Sequence, residues 1–135
     1  MANFTTFNCF TADTLSAKHN IGTSVYKVML TNTAPVVTNT VKSNITEIAA
    51  ANGYSAGGPT TTVTQASTGT TATVKASNVT VTATGAVGPF RYAVLYNSTN
   101  NALVGFVDNG SAVTMANTDT FAVDFDQTNG VLTVG

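Results

Sequence analysis

The sequence predicts an all-β fold: an antiparallel β-sandwich or partly closed barrel, of jelly-roll or immunoglobulin-like type, carrying one short helix. Three observations carry that expectation. Apolar residues recur with a period of two in short runs such as SVYKVMLT (24–31), TATVKA (71–76) and PFRYAVLY (89–96), the pattern of strands with distinct faces. Turn-forming strings separate the runs at regular spacing, among them Ser67-Thr68-Gly69, Asn109-Gly110 and Asn129-Gly130. Threonine makes up about a fifth of the chain while only 8% of residues are charged, against roughly 25% in ordinary domains. A β-branched hydroxyl residue suits a pleated, half-exposed surface and keeps it wettable without charge. At 135 residues the chain reads as one domain, 1–135, long enough to bury a core without covalent staples.

Taken in order, Phe4, Phe7 and Phe10 recur at intervals of three. They either pack on the chain's own sheet or belong to an N-terminal arm, within residues 1–12, laid across a neighbour. Asp13 to His19 reads as a turn of helix, broken by His19-Asn20-Ile21-Gly22. In Ser24–Thr31, Tyr26, Val28 and Leu30 share one face and Val25, Lys27 and Met29 the other. Both faces are partly apolar, so this strand is expected near the centre of a sheet. Asn32-Thr33-Ala34-Pro35 closes it, since Pro gives the ladder no N–H, and Val36–Val41 follows as a short extended piece. Asn44–Gly53 carries the helix signal: Asn44 as N-cap, Glu47 at the third helical position, a run of alanines and Gly53 as stop. Barely two turns long, such a helix needs packing, here through Ile45 and Ile48.

From Tyr54 to Gly88 the composition turns threonine-rich, punctuated by Gly57-Gly58-Pro59. Residues 60–65, 70–76 and 78–84 read as edge strands with a thin apolar face or as a disordered tract; the alternation in TATVKA and NVTVTAT favours strands. Gly88–Asp126 holds most of the large apolar residues and the only Arg. It predicts a four-stranded meander, 90–96, 103–107, 112–115 and 121–125, with Asn109-Gly110 as a type I′ hairpin turn. A last turn at 127–130 leads into Val131–Val134. That makes eight or nine short strands in all.

Several functions are disfavoured. The cations Lys18, Lys27, Lys42, Lys75 and Arg91 are scattered, so the electrostatic footprint for nucleic acid is missing. No apolar run approaches the roughly 20 residues of a membrane span. The opening MANFTTFNCF has neither a basic nor a continuous apolar region and is not read as a secretory signal. Cys9 is alone, which excludes an internal disulfide and fits folding in a reducing cytoplasm. His19 is the only histidine, and no nucleophile stands in a recognisable setting around it. One His and one Cys do not make a structural zinc site. Asp124 and Asp126 alternate with Phe121, Val123 and Phe125, which describes the wet side of an amphipathic strand more simply than an acid–base or Ca²⁺ pair. The glycines match neither a phosphate loop nor a dinucleotide fingerprint. No enzyme activity, cofactor or metal is expected. Arg91, inside the most apolar strand, either pairs with Asp108 or Asp124 or reaches a partner chain, as Arg and Tyr favour interface centres.

Four blocks, VMLTNTAP (28–35), ITEIAAANGYSAGG (45–58), GPFRYAVLYN (88–97) and TFAVDFDQTNGVLTVG (120–135), in this order and at these distances, resemble a family of small virion structural proteins encoded by tailed bacteriophages. The resemblance covers nearly the whole chain and is least distinctive over 60–84. It departs from the family pattern at 78–84, where Val79 and Val81 stand in place of a large aromatic. The resemblance implies a virion component assembled in the bacterial cytoplasm. Size, β fold and low charge extend that expectation to a capsid decoration (cement) protein on the outside of the head. Its partners would be the major capsid protein and copies of itself, as a dimer or trimer. Phe4, Phe7, Phe10, Arg91 and Tyr96 are the candidate interface residues, with the threonine-rich strands as a further contact surface through strand addition. The alternative is a tail, fibre or baseplate component binding a host-surface glycan through Tyr92, Tyr96 and the Asn97–Asn101 loop.

Overall fold

The computed structural model describes residues 4–134. The chain runs β1 (Phe4–Thr6), α1 (Phe10–Leu15), β2 (Tyr26–Thr31), a 3₁₀ turn (Lys42–Asn44), β3 (Thr60–Thr61), β4 (Val63–Thr68), β5 (Thr71–Ala76), β6 (Val79–Thr82), β7 (Val87–Asn97), β8 (Ala102–Met115), β9 (Thr120–Val123) and β10 (Leu132–Val134). These strands form a five-stranded sheet of order β1-β8-β7-β2-β3, a three-stranded sheet β10-β5-β4 and a pair β6-β9. All of their pairings are antiparallel. Among the described residues the fold is all-β with one short α-helix and no closed barrel.

One apolar cluster joins the sheets. Tyr26, Val28, Leu30, Phe90, Leu95 and Val104 from the five-stranded sheet pack with Val63, Val74 and Ala76 from the three-stranded sheet and Val79, Val81 and Val123 from the pair. Fully burying each of the Val, Leu and Phe side chains contributes about 1.5–3 kcal/mol before chain entropy is counted. β2 lies inside the sheet, between the central β7 and the two-residue β3, and buries side chains on both faces. Its Met29 points the other way, into a second cluster with Val94, Tyr96 and Leu103, capped by Phe7 and Ile45. The large sheet is therefore covered on both sides, which explains why β7 reads as an almost unbroken apolar run. The thin strand β6 finds its partner in β9, where Val81 pairs with Phe121 and Val79 with Val123. Phe121 meets Phe90 edge to face at 4.8 Å between ring centroids, so β9 and β7 supply the aromatic bulk that β6 lacks.

Four expectations are corrected. No helix forms over Asn44–Gly53. Instead Ile48 donates its N–H to Leu30 O at 3.0 Å and Glu47 bridges Thr31, so the segment lies extended along the end of β2. Ladder groups on β2 outcompete a two-turn helix, which has too few internal bonds to repay its nucleation. Asn52-Gly53 forms a tight hairpin turn: both have positive φ, 51° and 97°, and Ala51 and Tyr54 exchange both backbone hydrogen bonds at 3.0 Å. Asn109-Gly110, in contrast, does not reverse the chain. β8 runs 14 residues through it, and the β7–β8 register jumps from Tyr92↔Asp108 to Phe90↔Val113. Asn109 to Ala112 are thus accommodated as a bulge opposite Arg91. The meander consequently ends at β8, because β9 pairs with β6. The α-helix begins upstream of the expected Asp13–His19 turn, at Phe10. The 60–84 tract is ordered as strands, with β4 and β5 joined by a tight turn at Gly69 and Thr70.

Candidate functional site

The aromatic arm is part of the core. β1 pairs with β8, placing Phe4 opposite Val107, and Phe7 and Phe10 are 1% and 2% exposed. Phe7 lies against Phe106 at 5.3 Å, and Phe10 against the His19 ring at 4.9 Å. As interface residues Phe7 and Phe10 are corrected: their rings are enclosed by their own chain and present no surface to a partner. Phe4 is half-buried, 6.3 Å from Phe125. Residues 1–3 of the expected arm lie outside the described residues.

Tyr96 is corrected in the same way. It is 1% exposed, its hydroxyl donates to Gly57 O at 2.7 Å, and burial, with the Glu47 charge nearby, pushes its pKa up to about 12. Its neighbour in this polar node is Tyr54, whose hydroxyl donates to Glu47 Oε2 at 2.5 Å and accepts from Leu30 N at 2.9 Å. Glu47 Oε2 also accepts from Gly57 N at 2.7 Å. Glu47, expected in a helix cap, instead holds the 51–58 loop on the sheet. The Asn97–Asn101 loop is likewise occupied by the chain itself. Asn97 and Asn100 donate to Lys18 O at 2.9 and 2.6 Å, Val25 N donates to Thr99 Oγ1, and Ser98 N to Val25 O.

Arg91 makes the intramolecular pair. Its Nε and Nη2 reach the two Asp108 carboxylate oxygens at 2.8 and 3.1 Å, a bidentate geometry only Arg provides. Its guanidinium also lies 5.5 Å from the Tyr92 ring centroid. Bonds from Arg91 and from Gly110 N hold the Asp108 carboxyl below the usual carboxylate range. Both side chains stay about two-fifths exposed, so this patch of Arg91, Tyr92 and Asp108 keeps an outward surface.

His19 is 5% exposed, its Nδ1 is 3.3 Å from the Tyr26 hydroxyl, and its Nε2 is buried without a hydrogen-bond partner. Burial, opposed by the Asp13 charge, holds the imidazole below its ordinary pKa. The adjoining cleft of about 440 Å³ lies between Phe10, Thr14 and Ala17 on one side and Ala72, Val74 and Val134 of the small sheet on the other. Burial raises the Cys9 thiol pKa, and its Sγ sits 3.7 Å from the carbonyls of Asn39 and Thr40. Asp126 caps the turn after β9, accepting from Thr128 N and Asn129 N at 2.9 and 2.8 Å. Among the described residues no three His, Cys, Asp or Glu side chains gather as metal ligands, and no helix is long and apolar enough to cross a membrane.

Among the described residues, Leu15 and Val25 are exposed large apolar side chains, at 85% and 47%, and three valines of one connection join them. Val36, Val37 and Val41 are 55%, 39% and 37% exposed on the connection that lies beside Asn8 and Cys9, with Asn8 N donating to Val37 O at 2.9 Å. The signal was available in PVVTNTV, valines after a proline with no period to bury them. Comparison with protein-family models, with curated proteins and with solved structures finds no match to this chain.

Proposed function

We propose that this chain is a bacteriophage virion structural protein, a decoration protein that binds the outer surface of the head as an oligomer and stabilises the shell. The observation that carries the reading is the set of four sequence blocks in family order. All four bear buried residues of this fold: Val28, Met29 and Leu30; Ile45 and Tyr54; Phe90, Val94 and Leu95; Val123 and Phe125. Support of a second kind comes from the surface, which is threonine- and asparagine-rich, nearly free of charge and bears the exposed Val36, Val37 and Val41. Weak self-repulsion and exposed valines suit packing at high copy number against a neighbouring protein. With the aromatic residues 7, 10 and 96 enclosed, the Val36–Val41 connection is the surface assigned to the shell.

The mechanism is linkage. Whatever binds the assembled shell and not its dissociated subunits stabilises it by RT ln(1 + [L]/Kd), about 2.7 kcal/mol per site at a hundredfold excess over Kd. Many copies multiply that effect without any chemistry. The test is to add purified protein to expanded, undecorated heads of the encoding phage and measure copies bound and shell melting temperature. Saturable binding to the head exterior with a raised melting temperature is expected, weakened by Val37→Asp. No binding to heads, or a few dozen copies located at the tail, overturns the reading.

A further inference from the structure

The free edge of the three-stranded sheet, β4, is the longest edge strand in the described fold. β1, β3 and β10 are three, two and three residues long, and β6 and β9 four each, whereas β4 spans six. Proteins commonly protect exposed edges by shortness, charge, proline or a bulge. β4 has none of these. No Asp, Glu, Lys or Arg occurs between Glu47 and Lys75, and no proline lies in Val63–Thr68. The register against β5 is unbroken from Val63↔Ala76 to Thr68↔Thr71, and Thr64 to Thr68 are all exposed.

The ladder phase says which groups are free. Ser77 N donates to Thr62 O at 2.9 Å, so by alternation Thr62, Thr64, Ala66 and Thr68 turn their backbone groups to β5. Val63, Gln65 and Ser67 turn theirs outward. These three positions are symmetric about Gln65. A two-fold axis through Gln65 therefore sets Gln65 opposite its own counterpart and Val63 opposite Ser67, and every outward donor then meets an acceptor. Because the strand carries no charge, no like charges oppose each other across such a junction.

We propose that β4 is the self-association edge of this protein. Two copies pair β4 to β4 antiparallel about Gln65, continuing two three-stranded sheets into one of six. This isologous contact rests on the virion reading only in taking the chain to work as an oligomer, and it is tested on the isolated protein, so the two can fail separately. Sedimentation equilibrium over a range of concentrations should show the mass rising from 13.8 kDa toward twice that value. Amide exchange should slow at Gln65 and Ser67 as concentration rises. Ser67→Pro removes an outward N–H where an edge strand tolerates proline. Gln65→Lys sets two like charges face to face and should weaken pairing by roughly tenfold or more. Circular dichroism establishes that each variant is folded, and Gln65→Lys serves if Ser67→Pro is not. A wild-type mass of 13.8 kDa at every concentration overturns the proposal. So does a dimer that Gln65→Lys leaves unchanged, or one whose Gln65 and Ser67 amides exchange as fast as in the monomer.

Discussion

Arg91 grips Asp108 with two parallel bonds, Nε to Oδ1 at 2.8 Å and Nη2 to Oδ2 at 3.1 Å, while Gly110 N donates to the same Oδ1 at 2.7 Å. One carboxylate thus closes the neck of the β8 bulge from both strands. Asp108→Ala should free Asn109 to Ala112, read as faster amide exchange at those residues, with little change in melting temperature because the pair is half-exposed and screened by salt. The folded carboxyl titrates below its unfolded value, so its contribution is present above that value and is lost as pH falls through the folded pKa. Wild-type bulge exchange should approach the variant's well below about pH 4.

Phe7 and Phe10 distinguish a core from an arm in the isolated protein. Truncating a fully buried Phe costs about 3–5 kcal/mol. Phe7→Ala and Phe10→Ala should each lower the denaturant midpoint accordingly, and half-buried Phe4→Ala should lower it less. If Phe7 and Phe10 instead served a neighbouring subunit, denaturation of the dilute monomer would be unaffected.

Tyr54→Phe removes a hydroxyl that accepts from Leu30 N and donates to Glu47. Tyr54 is 3% exposed, so the Leu30 N–H loses its partner in a dry site, at a cost of about 1–3 kcal/mol. Denaturant titration measures it, and the Ala51–Tyr54 hairpin should show the largest chemical-shift change.

His19 makes stability fall in mild acid. Its folded pKa is depressed by burial from an unfolded value of about 6.5. The unfolded chain therefore binds more protons between the two values. Stability is complete above pH 6.5 and declines as pH drops toward the folded pKa. Urea unfolding at about pH 7.5 and 5 should give a lower free energy at the acid end, and His19→Phe should flatten that difference.

Much of the fold was legible where residue pattern and burial coincide. Tyr26, Val28 and Leu30 alternate with Lys27 and Met29, and β2 lies inside the sheet with both faces covered. The pairing of Arg91 with Asp108 was one of two partners named from sequence. Capping residues and alanines at 44–53 are only a local signal for a helix, while the competing bonds come from β2, about fifteen residues away in sequence. Tyr96 and the phenylalanines could not be assigned to surface or core from spacing, since enclosure depends on Ile45 and the loops that fold over them.

Two of the three Asn-Gly pairs, Asn52-Gly53 and Asn109-Gly110, mark the boundary between what the chain alone determined and what tertiary structure decided. By itself, the sequence determined an all-β chain: period-two runs, β-branched threonine and too little charge or helical periodicity for another class. It also marked Gly53 and Gly110 as sites of positive φ, which glycine adopts without steric cost. Only the assembled sheets decided which structure each would form. Asn52-Gly53 reverses the chain because Ala51 and Tyr54 on either side exchange both of their bonds. Gly110 takes φ 88° within a strand that continues, because β7 is 11 residues long and offers partners on both sides of the bulge. Turn propensity acts over a few residues, whereas strand pairing is fixed by whichever distant backbone presents free donors and acceptors.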